Sequence, residues 1–149
     1  MKKGFTLIEI TIVTALLLII ATIIVTAFSR FNQAIALSKD AEKIVSLLSR
    51  ARSDTVSSKN DQRYGVHFES TKAILFAGDS YISNVVTNEI VSVGPVASIS
   101  SITLTGGGDN VFFDRLTGAT SEPGTVVISL VGSGATSKQV TISSNGISQ

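Results

Sequence analysis

From Ile10 to Ser29 the chain runs for twenty residues, ITIVTALLLIIATIIVTAFS, without an Asp, Glu, Lys, Arg, Asn or Gln. A helix of that length spans about 30 Å, the thickness of a bilayer core. No Gly or Pro interrupts it, and the hydroxyls of Thr11, Thr14, Thr22 and Thr26 can bond back to the preceding helical turn. A domain this small cannot wrap a helix that is apolar all round. The pattern therefore predicts a membrane span. Past Arg30 the pattern changes. Leu37, Ala41, Ile44, Leu48 and Ala51 recur at helical spacing, widened by Val45 and Leu47, while Lys39, Asp40, Glu42, Lys43, Arg50 and Arg52 fall largely elsewhere. That is one face of an amphipathic helix. A single helix from about Phe5 to Ser57 is expected, roughly 80 Å long.

The remainder alternates at the period of strands. Candidates are Tyr64–Phe68, Lys72–Ala77, Glu89–Val93, Ile99–Leu104, Val111–Phe113, Thr125–Val131 and Gln139–Ser143, separated by turn signals such as Gly94-Pro95, Gly106–Asn110, Glu122–Gly124, Gly132–Gly134 and Asn145-Gly146. Helix first and strands after predicts an α+β chain with an antiparallel sheet packed on the amphipathic half of the helix.

Composition narrows the chemistry. Net charge is +1, residues 30–63 carry seven Lys/Arg against four Asp/Glu, and residues 64–149 carry three against six. A mildly acidic C-terminal portion is a poor phosphate-binding surface. Without cysteine there is no disulfide, thiolate nucleophile or Cys-ligated metal. Gly78-Asp79-Ser80 has the look of an esterase nucleophile block, yet the sole histidine, His67, lies upstream and alternates outward on a strand. The glycine-rich stretch 132–137 sits between strands and lacks a P-loop lysine. Asp109, Asp114 and Glu122 match no calcium-loop spacing. No catalytic or metal constellation survives, and neither an enzyme nor a cofactor is expected.

Lys2 and Lys3 precede the span, which orients the N-terminus to the cytoplasm and everything after Arg30 outward. A cleaved secretory signal would need a small-residue site after the span, and the helical SRFNQAIALSKDAEK offers none. Glu9 is the anomaly: a carboxylate one residue before the apolar run is costly unless something meets it.

The opening KKGFTLIE resembles the processing site of type IV prepilins and type II secretion pseudopilins. The resemblance implies cleavage between Gly4 and Phe5 by a prepilin peptidase after a basic leader containing Lys2 and Lys3, with N-methylation at Phe5. It implies that Glu9 serves assembly, meeting the Phe5 amine of a neighbouring subunit and fixing stagger. The segments would be a leader (1–4), a transmembrane or filament-core helix (5–29), an amphipathic half with exit loop (30–63) and a β-rich head (64–149). The missing helix Pro and missing disulfide depart from the best-known major pilins and point to a minor subunit. LLSRARSDTVSSKNDQRYGVHF, VFFDRLTGAT and KQVTISSNGISQ resemble, in that order, segments of the GspH/FimT group. Implied partners are other pilin or pseudopilin subunits, the peptidase and an inner-membrane assembly platform. The implied locations are the inner membrane and then a periplasmic or cell-surface filament. Two alternatives stay open. One is a membrane-anchored extracytoplasmic binding module. The other is a DNA-uptake minor pilin, with Arg50, Arg52, Lys59 and Arg63 as weak DNA contacts; the closing Gly turn carries no Arg or Lys for that role.

Overall fold

The structure, a computed structural model, describes residues 4–149, the side chains of residues 133–135 excepted. The architecture is α+β. One helix, α1 (Leu7–Val56), is followed by a 3-10 turn at Lys59–Asp61 and seven strands. These are β1 (Tyr64–Glu69), β2 (Lys72–Ala77), β3 (Glu89–Ser92), β4 (Ala97–Leu104), β5 (Asn110–Phe112), β6 (Gly124–Leu130) and β7 (Ser133–Ile142). All seven expected strands are present. The largest departure is β7, expected from Gln139 and beginning at Ser133. Its Ser/Gly/Thr-rich first half has weak strand propensity, but a two-residue turn pairs Ser133 with Leu130, and after a register shift the ladder resumes at Ser137 opposite Ser129. The expected turn at Gly132–Gly134 is thus shorter, and the 132–137 segment is turn and strand.

By packing, the chain divides into two units, one ending at Ala34 and the other covering Ile35–Gln149. In the first, α1 is exposed all round, from Leu7 and Ile8 through Leu16–Ile20 to Phe28 and Phe31. The threonine hydroxyls donate back as expected, Thr11 to Ile8 O, Thr14 to Ile10 O, Thr22 to Ile19 O and Thr26 to Thr22 O, at 2.7–3.1 Å.

The second unit holds two antiparallel sheets, β3-β2-β1-β5 and β4-β6-β7. Helix residues Leu37, Ile44, Leu47, Leu48 and Ala51 share one core with Val66, Phe68, Leu75, Val111, Phe113, Val126, Ile128 and Val140. The expected stripe is therefore the buried one, with one correction. Asp40 is 3 % exposed rather than solvated. Its Oδ2 accepts the Gly94 N–H at 2.8 Å and its Oδ1 accepts from Lys43 Nζ at 2.8 Å. A buried carboxylate is tolerable when its oxygens are satisfied in this way.

His67 is the second correction. It is half-buried on the other face of its sheet, stacked on Tyr81 with ring centroids 3.9 Å apart. Its Nδ1 lies 2.7 Å from Asn110 Oδ1. Phe76 and Phe112 pack edge-to-face at 5.5 Å, so the second face of the sheet is partly covered around His67. Simple alternation predicts one dry face and one wet face and cannot foresee the loop after β2 folding back.

Candidate assembly site

The helix start is locally encoded. Thr6 Oγ1 accepts the Glu9 N–H at 3.3 Å, satisfying one of the backbone donors left free in a first turn. Thr-x-x-Glu is the spacing of a capping box, a signal legible in TLIE. A carboxylate at that position also suits the positive end of the helix dipole. Glu9 thus has a local reason to sit in the first turn, alongside any intersubunit one.

Phe5 is 80 % exposed, Glu9 is exposed, and a small concavity of about 170 Å³ is lined by Phe5, Glu9, Ile10, Val13 and Thr14. Among the described residues Glu9 has no ion-pair partner. A Cβ on Gly4 would meet nothing within 4 Å. The helix start therefore offers an unpaired carboxylate, an aromatic ring and a continuous apolar cylinder. One helix among the described residues is long and apolar enough to cross a membrane, and no residue of its most apolar stretch is buried. Lys2 and Lys3 lie outside the described residues.

The four basic residues named as weak DNA contacts each have their own partner. Arg50 Nη1 lies 2.7 Å from Glu89 Oε1, and Lys59 Nζ lies 2.9 Å from Asp54 Oδ2. Arg63 bridges Asp79 and Asp114 at 3.7 and 3.8 Å, its guanidinium 4.9 Å from the Phe112 ring centre. Arg52 is half-buried, and its Nε donates to the Gly118 carbonyl at 3.1 Å.

That last contact belongs to a junction the sequence did not announce. Gly118 and Gly146 are buried against Arg52, with φ of +66° and +76°. A Cβ on Gly146 would overlap the Gly118 carbonyl oxygen, and one on Gly118 would lie 2.8 Å from Arg52 Nε and from Val56 Cγ2. Both positions need glycine for backbone conformation and for space. The junction joins the end of α1, the loop after β5 and the closing turn, which are the three segments that carried the GspH/FimT resemblance.

The acidic residues weighed for calcium are dispersed in their uses. Glu122 Oε2 accepts from the Phe112 N–H at 3.1 Å and the Thr120 hydroxyl at 3.2 Å, and Asp114 faces Arg63. Gly78-Asp79-Ser80 is loop after β2.

Comparison with known proteins follows the same lines. The family model of the type II transport protein GspH matches residues 40–146. The crystal structure of the type IV minor pilin FimU of Pseudomonas aeruginosa superposes with a TM-score of 0.55 at 16 % identity, covering 76 % of this chain and 90 % of that one. At that identity the likeness is one of fold. No curated protein matches by sequence.

Proposed function

Since the chain belongs to the GspH family of type II transport proteins and is a subunit of the minor-pilin and pseudopilin kind, we propose that it enters its filament through the Phe5–Glu9 helix start after loss of residues 1–4. A prepilin peptidase cuts between Gly4 and Phe5, and Phe5 is N-methylated. The new α-amine of one subunit then meets Glu9 of its neighbour. The observation that carries this reading is Glu9 itself: exposed, unpaired among the described residues, and in the first turn of a helix whose most apolar stretch has no residue buried.

Before assembly the 5–29 segment sits in the inner membrane with its N-terminus cytoplasmic and residues 64–149 outside. During assembly on an inner-membrane platform the apolar cylinder exchanges lipid for the same segments of other subunits. The ion pair fixes stagger, because a carboxylate among apolar helices is costly anywhere but opposite a cation. The subunit acts by position and contact, without catalysis. DNA binding is not part of this reading, since Arg50, Arg52, Lys59 and Arg63 are each engaged within the fold.

Intact-mass spectrometry of the chain from sheared filaments and from membranes tests it, for wild type and Glu9→Ala. The expected filament species lacks Met1–Gly4 and carries one methyl group, and Glu9→Ala is cleaved but stays in the membrane. A chain that keeps its leader and never leaves the membrane would be an anchored module instead.

A further inference from the structure

We infer that Asn145 is a one-way modification site governed by the fold: the docked closing turn resists its deamidation, and conversion of the undocked turn to isoaspartate keeps it from docking again. This goes beyond the assembly reading and does not rest on it.

Asn145-Gly146 is the one Asn-Gly pair in the sequence. Before glycine no side chain shields the main-chain nitrogen, so an unfolded chain deamidates most readily at such a pair. In that reaction the Gly146 nitrogen gives its proton to a solvent base and bonds to Asn145 Cγ. The Cγ–Nδ2 bond breaks, and ammonia leaves with a proton returned by solvent. Water then opens the five-membered imide. One opening gives an ordinary aspartyl residue. The other gives isoaspartate, whose main chain runs through the former side chain and is one carbon longer.

The fold opposes each requirement of ring closure. The Gly146 N–H donates to Ser143 O at 2.8 Å, and Gly146 is buried. Taking that proton away would leave a buried charge without a partner. The ring also forces ψ of Asn145 out of the ranges that strands, helices and turns occupy. The turn is held against that change on both sides. The Thr120 N–H donates to Ser144 O at 2.9 Å, and the Ser143 N–H donates to Ile147 O at 2.9 Å. The Asn145 side chain is itself engaged, its Oδ1 accepting the Ile147 N–H at 3.1 Å in an Asx turn.

The two products meet the junction differently. Arg52 Nε–H donates to the Gly118 carbonyl at 3.1 Å, and Gly146 packs on that same carbonyl so closely that a Cβ would overlap it. An aspartyl side chain keeps the chain length and the acceptor for the Ile147 N–H, so that product docks as before. Isoaspartate adds a carbon to the main chain between Ser144 and Gly146. Gly146 then cannot regain its place while Ser144 keeps its bond to Thr120.

The test incubates the full chain in detergent and mildly alkaline buffer, either folded or unfolded in guanidinium. Peptide mass spectrometry follows position 145, and an isoaspartyl methyltransferase counts the isomer. Conversion should be at least roughly tenfold faster in the unfolded chain, because a slow reaction follows the population of the open form. Arg52→Met, which removes the donor to the Gly118 carbonyl, should speed conversion of the folded chain about tenfold. Chain aged to isoaspartate and refolded should lose hydrogen-exchange protection across residues 143–147. Asn145→Asp should keep that protection, which separates chain length from charge. Equal wild-type rates folded and unfolded would overturn the inference, a comparison that stands whether or not Arg52→Met folds. So would a folded Arg52→Met converting at the wild-type rate, an isoaspartyl chain that regains protection, or an Asn145→Asp chain that loses it.

Discussion

α1 is one helix in two physical situations. Before Ala34 its leucines and isoleucines are exposed on every side; after Ile35 the same residue types form the wall of a closed core. Backbone geometry and helix propensity are shared, so the difference lies in what the side chains face. The first stretch is designed for a surrounding that the isolated chain does not supply, lipid or other helices. The second carries its surrounding within the chain. Mutations matched across the two should therefore have opposite signatures: loss of fold in one, and loss of assembly without loss of fold in the other.

The widest separation is expected between the two glycines Gly146 and Gly4. Gly146→Ala forces a Cβ onto the Gly118 carbonyl at a φ of +76°, and a loss of about 4 kcal/mol is expected. Thermal unfolding of the full chain in detergent, followed by near-ultraviolet circular dichroism, should show the tertiary signal lost well below the wild-type midpoint. Gly4→Ala, with open space around it, should leave that midpoint unchanged. A tolerant Gly146→Ala would break the argument that this position needs glycine for conformation and for space.

Next come two isoleucines on the same helix. Ile44 is fully buried, and Ile44→Ala should cost about 3 kcal/mol through lost transfer energy and the cavity left behind. Ile19 is 58 % exposed, and Ile19→Ala should not move the midpoint of the same melt. A comparable shift from both would mean that the N-terminal stretch packs on its own unit.

The finest comparison uses threonines, because both bond back to the helix. Thr55 donates to Ala51 O at 2.8 Å and also accepts the Tyr64 N–H at 2.9 Å in a fully buried position. Thr55→Val strands that N–H and should cost about 1–2 kcal/mol by urea titration. Thr22 donates to Ile19 O and has no second duty, so Thr22→Val should leave the titration where it was.

The parts of this molecule legible from residue order alone are those whose cause is local. A span of twenty uncharged residues, the three-and-four spacing of the buried helical stripe, the turn-bounded strands and the KKGFTLIE opening each depend on neighbours within a few positions. The Thr6–Glu9 cap is legible for the same reason. Other features depend on a partner far along the chain, and only the tertiary structure decided them. Asp40 reads as one more surface charge until Gly94, 54 residues on, supplies the N–H that lets it be buried. Arg52 reads as part of a basic cluster until the Gly118 carbonyl, 66 residues away, accepts a hydrogen bond from its Nε–H. His67 reads as outward until the loop with Tyr81 closes over it. β7 starts as early as Ser133 because Leu130 of β6 is there to pair with it. Periodicity reports which side of an element is apolar. It does not report what will arrive on the polar side, because that depends on how distant segments meet.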